Sequence, residues 1–399
     1  MQNLISVTQA ENIIRQHLTT AAVEIVPLSK AQGRYLREDI LADRALPPFD
    51  RVMMDGIAIA HASFASGNTR FPITGTQAAG TPALTLENAD SCIEVMTGCV
   101  LPQGCDCVIP IEQIDLSENT ARLYSDAKPQ AKQHIHSAGS DTTAGEILLS
   151  SGQVLNAAEL AIAASVGATD LSVSALPRIL IITTGDELVA PEATPLPHQI
   201  RRSHATALEA LISGMKLGTV ASLHIADDPE ALKEKITEAL PAHDIIIFTG
   251  GISKGKYDYV APVLSELLGS PHFHGIAQRP GKPMAFWKKP NSPLIFAHPG
   301  NPVSVMACAA RYLIPSLIEI LSGRSPTPQQ LPATGGFHCP THFTGLIPCR
   351  INNGRIQLVP ASNSGNFLAL SATDGIAQLP GELTGKELLN EPASFYPWA

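Results

Sequence analysis

The chain has 399 residues, room for two or more domains at roughly 100–200 residues each. A hydrophobic share of 44% and a charged share of 16% fit an ordinary globular protein and exclude a disordered one. A net charge of −9 argues against a non-specific binder of nucleic acid or of an anionic membrane, so an anionic ligand would need a local positive patch.

In chain order, Val7 to Leu18 reads as a helix, with Thr8 as N-cap and Glu11 at the capping-box spacing. Val23 to Leu28 alternates like a strand, and Gly33 to Ile40 reads as helix or turn. From Phe49 to about Ser137, short strand-like runs near Gly56, Phe71, Cys92 and Cys107 alternate with turn residues, the pattern of a small all-β domain. Ala157 to Val166 is an alanine-rich helix closed by Gly167.

A β–α alternation follows. Arg178 to Ile182, Thr219 to Ile225, Asp244 to Phe248 and Leu294 to Ala297 read as strands, with others near His272 and Met284. Ser203 to Met215, Glu230 to Leu240, Asp258 to Leu268 and Val303 to Leu321 read as helices, the second capped by Asp228-Pro229 and the last ended by Gly323. This predicts a doubly wound α/β domain that binds ligands beyond the carboxyl ends of its strands. After a linker at Ser325 to Pro328, strand-like runs and the turn Asn352-Asn353-Gly354 suggest a C-terminal β domain.

The seven cysteines are scattered and odd in number, which argues against a disulfide framework. Cys105-Asp106-Cys107 lacks a second pair at zinc-finger spacing and reads as two small strand residues. No signal peptide is apparent, and no apolar run approaches the roughly 20 residues that span a bilayer, so a reducing cytoplasm is expected.

The candidate chemistry gathers at the predicted strand ends. Thr249-Gly250-Gly251 and Pro299-Gly300-Asn301-Pro302 are small-residue turns ahead of helices, where backbone N–H groups suit an anion, with Ser253 and Ser304 as nearby hydroxyls. Arg279 and Lys282 flank Pro280-Gly281; their stiff loop would aim both charges at one point, the alternative being an ordinary exposed basic turn. Asp186, Glu187, Asp227, Asp228 and Asp258 also fall at strand ends. Asp228 reads as a helix cap, while a carboxylate such as Glu187 could hold Mg²⁺. Asp55 reads as an Asp-Gly turn, Thr97-Gly98 as a turn, and His134 and His136 as solvated loop residues, the alternative being a strand that turns both to one side. There is no G-x-S-x-G and no P-loop.

Taken together, several short motifs in order resemble the MoeA family of molybdenum insertases, which includes the E domain of gephyrin. They are Pro47-Pro48-Phe49-Asp50 with Met54-Asp55-Gly56, Met96-Thr97-Gly98, Thr184-Gly185-Asp186-Glu187-Leu188 and Asp227-Asp228-Pro229. They continue with Thr249-Gly250-Gly251-Ile252-Ser253, Gly255-Lys256-Tyr257-Asp258, Pro280-Gly281-Lys282-Pro283 and Pro299-Gly300-Asn301-Pro302-Val303-Ser304. The resemblance implies a multidomain α/β plus β fold. Residues 1–48 and 138–174 would form a mixed domain I, and 49–137 an inserted β domain II. Residues 175–324 would form a MogA-like α/β domain III that binds molybdopterin, and 325–399 a C-terminal β barrel.

The same resemblance implies a homodimer with shared active sites, and transient contact with a MogA-like adenylyltransferase and with molybdoenzymes. It implies Mg²⁺-dependent hydrolysis of adenylylated molybdopterin coupled to insertion of molybdate, releasing AMP. Asp55, Thr97, Asp141, Glu187 and Asp258 are then the implied catalytic residues, and Glu187, Asp227 and Asp258 the implied metal ligands. Thr249, Gly250, Gly251, Ser253, Arg279, Lys282, Pro299, Gly300, Asn301, Pro302 and Ser304 are the implied substrate contacts.

The chain also departs from the family pattern. Arg201-Arg202-Ser203-His204 replaces a common Tyr-Asp-(Ser/Thr)-Asn, adding two positive charges near the ligand edge of domain III and losing the Asn, and His298 stands where an apolar residue is usual. Arg279 replaces a common Lys, Val52-Met53 stands where small polar residues precede Met-Asp-Gly, and Ile57 where an aromatic follows it. Two alternatives to the insertase remain at this point: a MogA-like adenylyltransferase, and a molybdopterin-binding scaffold without catalysis.

Overall fold

The computed structural model describes residues 4–252, 255 and 258–398. They form two compact units: one of Met1–Glu38, Ser151–Ala157 and Asp170–Ala399, the other of Asp39–Ser150 and Ala158–Thr169.

In the smaller unit, six strands make one sheet in the order Cys107–Pro110, Gly56–Ile59, Cys92–Val95, Arg70–Gln77, Thr120–Leu123, Ile114–Ser117. Strands Gly56–Ile59 and Cys107–Pro110 are buried at every position, because each sheet face carries its own core. Ile57, Ile59 and Ile109 fill one core; Ala58, Val95 and Val108 fill the other. Cys107 belongs to the first and Cys105 to the second, and burial pushes both thiols up to about 12.

The larger unit holds the α/β domain. Its sheet order is Thr219–Ile225, Arg178–Thr184, Ile245–Thr249, Leu294–His298, Ala285–Trp287, Phe273–His274. The first four strands are parallel and the last two antiparallel. The apolar runs predicted this: Ile245–Thr249 and Leu294–His298 are wholly buried, as strands covered on both faces must be. One face packs on helices His204–Gly214 and Pro302–Ser322, the other on Pro229–Ala239 and Val260–Leu268. Asp228 caps Pro229–Ala239 by accepting from the Ala231 N–H at 2.7 Å.

The C-terminal strands Gln329–Gly336, Thr344–Asn352, Arg355–Leu358, Gly375–Pro380 and Glu387–Pro397 close into a barrel, since Thr344–Asn352 also pairs with Gly375–Pro380. Asn353 and Gly354, with φ of 48° and 73°, make the tight hairpin turn that their sequence predicts.

Several expectations are corrected. The capping box is Ser6 with Gln9, two residues before Thr8 with Glu11. Glu11 instead accepts from the buried Arg311 guanidinium at 2.6 Å, and Arg311 also donates to Gln378 of the barrel at 2.6 Å. Of the two readings of Gly33 to Ile40, helix or turn, the turn holds: it forms turns and isolated bridges, and Ile40 opens the short strand Ile40–Leu41. The last helix of the α/β domain is not regular but carries a π-turn at Ala309–Leu313. Pro315 has no N–H for the carbonyl four residues back, and the wider turn accommodates it. Helix Pro302–Ser322 is also long and apolar enough to cross a membrane, contrary to the sequence reading, but most of it is buried in the core.

Candidate functional site

Strand register places a polar row at the carboxyl edge of the sheet. His224, Thr183, Thr249 and His298 lie side by side on four parallel strands, one step beyond the apolar positions Ile181, Ile247 and Phe296. A cleft of about 1100 Å³ opens above this edge.

Bare backbone forms its base. Gly250 and Gly251 hold φ of 94° and 66°, a region that side chains rarely adopt. A Cβ on Gly251 would meet Val260 at 2.7 Å and Thr184 at 2.9 Å; one on Gly300 would lie 3.5 Å from the Gly250 Cα. The Gly250 N–H donates to the His298 carbonyl at 3.2 Å, fastening one turn to the other strand. Thr249, Gly250, Gly251, Pro299, Gly300, Asn301 and Pro302 all line the cleft, as the sequence predicted. Ser304 does not; it is buried one turn into the helix. Ser253 lies outside the described residues.

Carboxylates form one wall. Glu187, Asp227 and Asp258 line the cleft. Asp186 accepts from the Asp227 N–H at 3.0 Å, and Asp258 from the Gly255 N–H at 2.6 Å, so both acids also fix backbone. Burial, then the nearby charges of Asp186, Glu187 and Asp258, raise the Asp227 pKa. Among the described residues no three His, Cys, Asp or Glu side chains form a closed metal cage. Mg²⁺ does not require one, since it binds through one or two carboxylates and keeps waters. The raised Asp227 pKa marks an excess of negative charge around it, which such a cation would relieve.

The cations that line this cleft lie outside the Arg279–Lys282 loop. Arg279 and Lys282 are exposed, and neither lines this cleft, although Pro283 does. Arg279 sits in a short strand paired with Thr344–Gly345, and register carries it toward the barrel. Arg201 and Arg202 line the cleft instead. Pairing of Leu188–Val189 with Ile200–Arg201 forms the ribbon that brings them there. Arg201 donates to the Ala193 carbonyl at 3.0 Å, and the buried Arg202 Nε has no partner among the described residues.

Among the described residues, the fully buried His298 finds no partner for either ring nitrogen, and the hydroxyls of Thr184 and Thr249 are likewise unpaired. Burial, with His204 adding to it, pushes the His298 pKa down to about 3, so its ring is neutral. His204, at the start of its helix, lines the cleft. Two departures from the family pattern therefore meet at one spot.

In the smaller unit, Asp55 and Thr97 meet. The Thr97 N–H and hydroxyl donate to one Asp55 oxygen at 2.6 and 2.7 Å, and these bonds lower the Asp55 pKa. Gly56 is obligatory beside it, because a Cβ there would sit 2.0 Å from the Ile109 carbonyl oxygen. Asp141 is held by His136 Nε2 at 2.8 Å, with Arg51 against His136 Nδ1 at 3.0 Å. An Arg can only donate, so Nδ1 accepts and Nε2 carries the proton toward Asp141. His136 is thus a paired strand residue and His134 a part-buried turn residue at φ 54°, not solvated loop histidines.

Residues 5–167 match the model of the MoeA N-terminal region (domains I and II), and 180–319 that of a probable molybdopterin binding domain. A molybdopterin molybdenumtransferase of Synechocystis sp. is 37% identical, over 99% of this chain and all of that protein. The chain belongs to the MoeA family of molybdopterin molybdenumtransferases.

Other relatives agree. A molybdopterin molybdenumtransferase of Nostoc sp. is 31% identical over 92% of this chain and 88% of its own. The molybdopterin biosynthesis MoeA protein of Pyrococcus horikoshii superposes over 100% of both chains with a TM-score of 0.79 at 25% identity. Within this MoeA-family chain, sequence reading missed Gln199 and Phe367 as cleft residues. Gln199 lies in an irregular segment with no periodic signal. Phe367 comes from the barrel region, far along the chain from every glycine turn.

Proposed function

We propose that the chain is a cytoplasmic molybdenum insertase that hydrolyses adenylylated molybdopterin in a Mg²⁺-dependent step and inserts molybdate into the dithiolene, releasing AMP. The supporting observation is the cleft itself: a bare-backbone base, a cationic ribbon and a carboxylate wall converge at one sheet edge. Backbone N–H groups and Arg201 and Arg202 suit a phosphoanhydride, which carries its charge on several oxygens. Magnesium would be held by one or two of the carboxylates Glu187, Asp227 and Asp258, and would neutralise charge on the phosphate oxygens.

The chain's residues then have separate tasks. The glycine turns bind and orient the phosphates. Asp227, its pKa raised first by burial and then by neighbouring carboxylates, would be one of the acids beside the phosphates that an attacking oxygen approaches. That oxygen forms a new bond to the adenylyl phosphorus as the bond to the molybdopterin phosphate breaks. Asp55, held ionised by Thr97, would serve in a homodimer in which a second copy completes the cleft. An apolar helix, Ala157–Ser165, has only Ala163 buried and offers a surface for that copy to cover. The cysteines are all free and buried, in keeping with a reducing compartment.

The test is AMP release from adenylylated molybdopterin with Mg²⁺, with and without molybdate. Release that depends on molybdate is expected. ATP consumption instead would indicate an adenylyltransferase, and binding without turnover a scaffold; either would replace this reading.

A further inference from the structure

Phe367 is the one phenyl, phenol or indole ring among the described residues that line the cleft, and it is 52% exposed. An exposed phenylalanine is common on a mobile loop, but this loop is knit. Gly365 N–H donates to Asn363 Oδ1 at 2.9 Å, Phe367 N–H to the Gly365 carbonyl at 3.1 Å, and Asn366 Nδ2 to Ser362 Oγ at 3.1 Å. The loop is also pinned to the anion-cradling turn. Asn301 Nδ2 donates to Ser364 Oγ at 2.8 Å, and the Val303 N–H to the Ser364 carbonyl at 3.1 Å. An apolar ring is therefore held toward water at a fixed place relative to Gly300, in a cleft that also carries bare glycine backbone, two arginines and three carboxylates.

A ligand with only phosphates gains nothing from such a ring. One that joins a phosphate to a planar heteroaromatic ring gains from both, because its π-face can stack on the phenyl group. Resting on the proposed insertase reading, we propose that Phe367 is a stacking residue that binds the planar heterocycle of the phosphorylated substrate while the glycine turns hold its phosphate. Adenine and pterin rings share this chemistry. The barrel thus supplies a specificity-determining contact to the α/β domain's cleft.

The test compares ring-bearing and ring-free phosphates on the full-length protein by calorimetry. The probes are AMP, 6-hydroxymethylpterin monophosphate and ribose 5-phosphate, with Phe367→Ala and Phe367→Trp variants. One ring-bearing probe is expected to bind at least roughly tenfold more tightly than ribose 5-phosphate. Phe367→Ala is expected to erase most of that preference and Phe367→Trp to keep it. Preference for AMP assigns the ring to adenine, and preference for the pterin phosphate assigns it to the pterin. A preference that survives Phe367→Ala, or a wild type with no ring preference, overturns the proposal. Molybdate-dependent AMP release by the wild type is scored separately, so loss of stacking and loss of the insertase reading are told apart. Circular dichroism of both variants confirms folding, which the exposed position of the ring favours.

Discussion

Thr249 and His298 stand opposite one another on adjacent parallel strands, and neither side chain has a hydrogen-bond partner among the described residues. Both are essentially without exposure, at 1% and 0%. Unpaired buried polar groups cost about 1–3 kcal/mol each, so the carboxyl edge of this sheet gives up stability beside the cleft.

His298 makes that cost pH-dependent. Its folded pKa of about 3 lies below the ordinary 6.5, owing to burial first and His204 second. Between those values the unfolded chain binds the proton and the folded one does not, so stability is full above about pH 6.5 and falls as pH drops toward 3. The slope from this group is about 1.4 kcal/mol per pH unit, on the order of 5 kcal/mol in all. His298→Leu should unfold at higher denaturant at pH 7, with a gap from wild type that widens at pH 5. Parallel acid profiles would reject the assignment.

Gly251 should not tolerate a side chain. Alanine there must adopt positive φ and push against Val260 and Thr184. Gly251→Ala is expected to lose about 2 kcal/mol in urea denaturation and to weaken phosphate binding by more than tenfold. Gly67→Ala, also at positive φ but with open space around it, is the control and should leave phosphate binding unchanged.

Asp55 owes its lowered pKa first to the Thr97 N–H and then to the Thr97 hydroxyl. Thr97→Val removes only the second donor. The acid limb of the rate of AMP release should move to higher pH, while Asp55→Ala abolishes release and leaves ligand binding intact. An acid limb that stays in place in Thr97→Val would separate Asp55 from the titrating group.

The cations can be ranked directly. Arg202→Ala should raise the dissociation constant for a phosphorylated ligand roughly tenfold, the scale of a lost charge-assisted hydrogen bond of about 1.5–3 kcal/mol. Arg279→Ala should change it by less than about twofold, because Arg279 is exposed and outside the cleft lining. The reverse ranking in isothermal titration would return the anion to the Arg279 loop.

Much of the fold was legible because burial is periodic. The runs at Arg178, Ile245 and Leu294 are apolar throughout, and only a sheet covered on both faces buries such runs. Asp228-Pro229 and Gly323 marked helix ends through local chemistry that needs no distant partner. Glu11 was misread because a capping box and an ion pair share one side chain, and Arg311 lies 300 residues away.

The cleft's glycine turns and its carboxylates were therefore determined by sequence, since a strand end, a turn and a helix start are consecutive events. Which cations face them was decided by tertiary structure. Arg279 and Arg202 look equivalent as letters, but one strand pairs with the barrel and the other ribbon folds over the sheet edge. The meeting of His204 with His298, and the reach of Phe367 into the cleft, likewise arise from long-range register and pinning. Sequence spacing carries no information about such contacts, because they form only after separate elements pack.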